Sequence, residues 1–323
     1  MATDVIEWPV KTRELNDAYS DSARWNDFQF RDGDVVLATY AKVGTTWTAQ
    51  IIWQLIHGGQ PGVEGSAVAA PWLEMRVRPF QPMHDMLKAQ THRRCIKTHL
   101  PLDALTFSPK AKYITVGRDA RDMVWSAFNH QDGYTDEFID QLNCPPGRPG
   151  AIVSRPGTDI RDYYLGFLEA GVPPGFGFVS FWPHIQGWWD ARNLPNVLLV
   201  HYASLKADLA GEMRRIARFL EIEIDEAVFP AMVEHCTFDY MRQTAIAAPT
   251  VVGGFKDGAR TFFNKGVNGR WKDVLSDAEI ARCDGAAAHN LSSECAHWLA
   301  TGERPDRLTL ATGLNPNPHS DTL

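Results

Sequence analysis

The sequence predicts an α/β fold, a three-layer sandwich with a central parallel sheet between helices. Four short runs rich in β-branched and aromatic residues read as buried strands. Helical patterns follow three of them, and turn signals mark their boundaries.

Taken in order, Asp34 to Tyr40 (DVVLATY) follows the turn Arg31-Asp32-Gly33 and reads as the first strand. Thr45 to His57 has helical spacing and is closed by Gly58-Gly59. Arg94 to Thr98, Lys112 to Val116 and Val197 to His201 are the further strands, with helices expected over Ala120 to His130 and Leu209 to Leu220. Cys144 to Gly157 and Val172 to Gly177 are dense in Pro and Gly and read as loops. Strand and helix signals resume after both, so a single domain over residues 1–323 is expected, with an irregular tail after about residue 301.

The bulk composition narrows the functions. A net charge of −7 argues against general binding to nucleic acid or to an anionic membrane, so any anionic ligand must be held by local chemistry. Five cysteines without a CxxC pair point to a reducing compartment. Cys283, His289, Cys295 and His297 match no zinc spacing and read as helix packing, so no metal is expected. Met1 to Asn16 lacks the apolar core of a signal peptide and no run approaches a membrane span, so a cytoplasmic protein is expected. Sixteen Phe and eleven Trp are more than packing requires and point to an aromatic-lined cavity.

Four segments carry chemistry. Tyr40-Ala41-Lys42-Val43-Gly44-Thr45-Thr46-Trp47 joins the first strand to the first helix, where free N–H groups, Gly44 and two hydroxyls make a phosphate cradle. It is not a Walker A motif, because Lys42 precedes the only glycine. In Lys97-Thr98-His99-Leu100-Pro101, Lys97 and His99 sit two apart at a strand end and project the same way, while Pro101 stops the ladder. Arg118 ends the next strand and Ser126 follows two helical turns later; an arginine fork suits a phosphate dianion. Phe262 to Lys272 (FFNKGVNGRWK) is a glycine-rich basic segment suited to a lid.

In this order the four segments resemble the cytosolic-type sulfotransferase family, from about Trp25 to about Lys272. The resemblance implies the P-loop NTPase-like sulfotransferase fold and transfer of a sulfonate from 3′-phosphoadenosine-5′-phosphosulfate to a hydroxyl or amine of a small acceptor. It implies that His99 is the base, that Lys42 and Lys97 stabilise charge, and that Ser126 restrains Lys42. Lys42, Val43, Gly44, Thr45, Thr46 and Trp47 would hold the 5′ end, and Arg118 and Ser126 the 3′-phosphate. Asn264, Lys265 and Gly266 would close over that phosphate, and Trp47, Tyr202, Thr237 and Phe238 would contact adenine.

Departures from the family pattern are Asn264 for an arginine, Cys236 for a threonine and Arg270 for an aspartate. Of these, Asn264 and Cys236 leave cofactor affinity lower or met differently. The family's dimer motif is not recognisable. At its ordinary pKa of about 6.5 a histidine suits a base near neutral pH. The acceptor is expected to be apolar: a phenol, alcohol, sterol-like or lipid-linked molecule. A nucleotide kinase and a non-catalytic nucleotide-binding relative are the alternatives.

Overall fold

All four expected strands form: β1 (Val35–Ala38), β2 (Cys95–Thr98), β3 (Lys112–Gly117) and β4 (Val197–His201). They come from a computed structural model that describes residues 6–61, 69–144, 152–248 and 253–303. The sheet is wholly parallel in the order β2-β1-β3-β4, with Val35 opposite Cys95 on one side and Lys112 on the other.

Helices α1 (Thr45–Ile56), α2 (Phe80–Ala89), α3 (Ala120–Asp132), α4 (Asp136–Asn143), α5 (Ile160–Ala170) and α6 (Phe181–Asp190) precede β4. After it come α7 (Tyr202–Ala207), α8 (Leu209–Leu220), α9 (Phe229–His235), α10 (Phe238–Ala247), α11 (Ala259–Phe262), α12 (Asp277–Asn290) and α13 (Ser293–Thr301). The two-residue strand period divides the core between the sheet faces. Val35, Leu37, Ile114 and Val116 meet Ile52 of α1, Val124 of α3 and Ile216 of α8 on one face. On the other, Val36, Ala38, Ile96 and Tyr113 meet Trp25, Leu87 of α2 and Trp188 of α6. Both faces of β1 are therefore covered, which is why it reads as a continuous apolar run.

Asp34 and Arg94 lie just before β1 and β2 and form a buried ion pair, 2 % and 3 % exposed, with Arg94 Nε donating to Asp34 Oδ1 at 2.9 Å. Removing one partner strands the other charge in the interior. Asp34→Ala should therefore lower unfolding free energy by about 3–5 kcal/mol, read from urea denaturation midpoints. The double variant Asp34→Leu, Arg94→Met should recover much of that loss, because it strands no charge.

Of these helices only α1, α3 and α8 were expected from the sequence. Helix α7 was not foreseen because its N-cap is His201, whose Nδ1 accepts from Ala203 N at 3.2 Å; histidine is not among the usual capping residues. The expected loop over Cys144 to Gly157 begins at the end of α4, but residues 145–151 lie outside the described residues, as does the tail after Glu303. The cysteines of the discounted metal pattern, Cys283 and Cys295, are buried in the core. Among the described residues no helix is long and apolar enough to cross a membrane.

Candidate active site

The chain runs from β1 outward to β2, then returns to β3 on the other side of β1. This reversal opens a crevice beyond the carboxyl ends of β1 and β3, where parallel α/β sheets bind their ligands. A cavity of about 650 Å³ lies there, and three of the four chemically suggestive segments reach it from the ends of β1, β2 and β3. The fourth closes over it.

The cradle forms at the β1–α1 junction. Thr48 N makes the first intrahelical bond, to Gly44 O at 3.0 Å, so the N–H groups of Thr45, Thr46 and Trp47 precede the helical ladder. Gly44 has φ 115°, and a Cβ there would stand 2.9 Å from Tyr202 Cδ2, so both backbone angle and ring contact require glycine. Lys42 takes a left-handed φ of 68° and lines the cavity, with Gly44, Thr45, Thr46 and Trp47. Val43 does not: its side chain is in the core, so it can serve a ligand only through its backbone.

Lys42 Nζ donates to His130 Nδ1 at 2.8 Å, and it stands 5.4 Å from the Phe262 ring centre. The expected partner was Ser126. That residue does line the cavity, but the bond goes one helical turn further along α3. Burial, with Arg118 and Lys97 nearby, lowers the Lys42 pKa to about 7.

His99 lies one residue beyond β2 and is buried. Its Nδ1–H donates to Thr39 O at 2.8 Å, and a carbonyl can only accept, so Nε2 keeps its lone pair. Burial, then the charge of Lys97, holds its pKa well below the ordinary value. The expectation of an unperturbed imidazole is thus corrected: His99 is neutral at neutral pH, the form a base needs. Lys97 enters the same cavity, 5.2 Å from the Trp72 ring centre, with its pKa lowered by burial to about 8. Pro71 O accepts from Lys97 N at 2.9 Å, which covers the outer edge of β2.

Glu74 organises this corner and was missed as a site residue in the sequence. Its Oε1 accepts from His99 N (2.8 Å), Thr98 Oγ1 (2.9 Å) and Trp72 Nε1 (2.5 Å), and its Oε2 accepts from Trp25 Nε1 (2.8 Å). One buried carboxylate thereby fixes both the His99 backbone and the indole packed edge-on against its imidazole at 4.6 Å. The sequence signals were an acidic residue inside the apolar stretch Pro71 to Met75 and a weak likeness of Pro71 to Glu74 (PWLE) to the family pattern. His130 was likewise one histidine among eleven.

At the N-terminus of α3, the capping Asp119 is taken by Arg121, with Arg121 Nη2 donating to its Oδ2 at 2.6 Å. Arg118 is left to the cavity. It donates through Nη1 to Lys42 O (3.0 Å) and through Nη2 to Asn268 Oδ1 (2.8 Å), and its guanidinium stacks 4.1 Å from the Tyr202 ring centre.

The segment after α11 lies over the start of α3: Gly269 N donates to Asp122 Oδ1 at 2.7 Å, and Asn264 Nδ2 to Asn129 Oδ1 at 3.4 Å. Asn264, Lys265 and Gly266 all line the cavity. Gly266 has φ 63°, and a Cβ there would meet Phe238 Cδ2 at 2.6 Å. Trp47, Tyr202 and Phe238 supply aromatic surface on this side, Trp47 and Tyr202 meeting edge-on at 5.4 Å. Thr237 does not line the cavity; it caps α10. Cys236 is buried away from it and contributes its carbonyl, which accepts from Trp47 Nε1 at 2.7 Å.

Beyond His99 the cavity continues between Tyr19, Trp72, Tyr134, Phe176, Phe178 and Phe255. One end is therefore cationic, rich in N–H groups and flanked by aromatic faces; the other is mainly aromatic and apolar, with Arg78 in its wall. A neutral imidazole and a half-buried lysine, Lys97, stand where the two meet. This is a site for a large anion beside an apolar partner.

Comparison with known proteins agrees with this chemistry. A family model described as the sulfotransferase domain matches residues 32–293. A glycolipid sulfotransferase of Mycobacterium tuberculosis is 33% identical over 288 residues, covering 81% of this chain and 86% of that protein. Human sulfotransferase 2B1 is 31% identical over 289 residues, covering 87% and 71%. Mouse sulfotransferase SULT7A1 complexed with PAP superposes with a TM-score of 0.64 at 22% identity, covering 86% of this chain and 92% of that one. Retinol dehydratase in a complex with retinol and PAP gives 0.65 at 21%, covering 84% and 85%. At such identity these two matches establish the shared fold.

Proposed function

The chain belongs to the sulfotransferase domain family, and from this we propose that it transfers a sulfonate from 3′-phosphoadenosine-5′-phosphosulfate to a hydroxyl or amine of a small apolar acceptor. The observation that carries the reading is the convergence of Lys42, Lys97, His99 and Arg118 on one cavity at the sheet's reversal.

The donor's 5′ end fits the cradle of Lys42, Gly44, Thr45 and Thr46, where free N–H groups and a lysine meet negative charge. Its 3′-phosphate fits the Arg118 fork and Ser126, and adenine fits among Trp47, Tyr202 and Phe238. Lys265 and Gly266 close that end. His99 Nε2 takes the proton of the acceptor hydroxyl as its oxygen forms the new bond to sulfur. The bond from sulfur to the donor's phosphate oxygen breaks, and adenosine 3′,5′-bisphosphate leaves with that electron pair. Lys42 stabilises the charge growing on the departing oxygen, and Lys97 the transferring sulfonate. Positioning and charge stabilisation account for the catalysis, as in phosphoryl transfer.

The aromatic end, continued by Met75, Met83 and Met86, favours an acceptor with an extended apolar body. The glycolipid sulfotransferase relative supports a lipid-linked alcohol within that class. Among the described residues the cysteines are free, which supports a cytoplasmic location.

The reading is tested with the phosphosulfate donor and a panel of apolar alcohols and phenols in excess chelator, following sulfonated product by mass. Product is expected without magnesium, and ATP with magnesium should phosphorylate none of the panel. Phosphorylated product with ATP would replace the reading with a kinase.

A further inference from the structure

We propose that Arg270 is a donor-binding residue, a second guanidinium that holds the 3′-phosphate beside Arg118; the proposal rests on the sulfotransferase reading above. Arg270 is half-buried and lines the cavity together with Arg118, Ser126 and Lys265. Its Nη1 donates to Asn264 Oδ1 at 3.1 Å. Asn264, expected in the sequence to take part in donor binding, has no charge of its own. Through this bond it steadies a charge that arrives from six residues further along the chain.

The same asparagine donates to Asn129 on α3, the helix that carries Ser126. Asn268 accepts from Arg118, and Gly269 N–H occupies Asp122 Oδ1. The stretch from Asn264 to Arg270 is thus stitched at three points, to Asn129 and Asp122 of α3 and to Arg118 just beyond β3. These ties present Arg270 to the same end of the cavity as Arg118.

Among the described residues Arg270 forms no ion pair with a carboxylate, and its charge is one of those acting against the Arg118 charge. Two guanidinium groups on one cavity wall repel each other in the free protein. A phosphate dianion between them turns that repulsion into paired charge-assisted hydrogen bonds. A monoanion or a neutral ribose hydroxyl would gain far less. Arg270 should therefore act on the 3′-phosphate and leave adenine and the 5′ end alone.

The test compares adenosine 3′,5′-bisphosphate with adenosine 5′-monophosphate, which lacks only the 3′-phosphate, by calorimetry on the full chain. In Arg270→Gln the bisphosphate should bind about 10–100-fold more weakly, with the monophosphate changed less than about twofold. Arg270→Ala, checked for an unchanged thermal midpoint, should repeat the pattern. An equal loss for both ligands, or no loss for either, would overturn the role of Arg270. A wild-type protein that does not discriminate the two ligands would overturn the donor assignment itself, and the proposal with it.

Discussion

Replacing His99 with alanine should lower turnover by about 10²–10⁴-fold while leaving the affinity for adenosine 3′,5′-bisphosphate within about twofold. The separation follows from the geometry. His99 stands where the cationic end of the cavity meets the apolar end, whereas the groups suited to phosphate come from the β1–α1 junction, α3 and the closing segment. Nδ1–H is committed to Thr39 O, so only Nε2 is available to take a proton. Its environment adds an independent check. Burial and Lys97 depress its pKa well below about 6.5, so the ring stays neutral as pH falls through that value. Its Cε1–H resonance, identified by its loss in the alanine variant, should keep its neutral shift as the pH is lowered through about 6.5. A titration centred near pH 6.5, or turnover close to wild type in the variant, would remove His99 from the role.

The sheet and the helices α1, α3 and α8 on one of its faces were legible because their signals are local. An apolar run covered on both faces, a glycine-closed helix and a turn-bounded strand each announce themselves within a dozen residues, and β1 to β4 formed within two residues of expectation. The cradle was legible for the same reason, since Lys42 to Trp47 are contiguous. What stayed hidden depends on contacts across the chain. Glu74 reaches Trp25 and His99 from opposite directions in the sequence, and Lys42 meets His130 eighty-eight residues away. Nothing in the local sequence distinguishes that histidine from the others. The depressed pKa of His99 could not be foreseen either, because it comes from burial and from a lysine whose charge matters only once both share a low-dielectric pocket. Val43 and Thr237 show the opposite limit: each is adjacent to cavity residues in the chain, yet each side chain turns elsewhere.

Lys42→Met should reduce turnover by about 10²–10³-fold, and it should also change how nucleotide binding depends on pH. In the free protein the Lys42 pKa is lowered to about 7, by burial first and then by Arg118 and Lys97. Near neutral pH a large fraction of the protein therefore carries a neutral amine there. A bound bisphosphate favours the ammonium, so its arrival raises that pKa and draws in a proton. The sign follows: above about pH 7, affinity for adenosine 3′,5′-bisphosphate falls with rising pH, approaching tenfold per unit until the pKa of the bound state is passed. The ligand's own phosphates, with second pKa values near about 6, are already dianionic there and add little. Calorimetry at pH 8 in two buffers of different ionisation enthalpy should report uptake approaching one proton. In the methionine variant most of that uptake should vanish, leaving the smaller share owed to Lys97, whose pKa is lowered only to about 8. Equal uptake in the two proteins would show that Lys42 does not face the phosphates, and would leave its bond to His130 as a feature of the cavity wall alone.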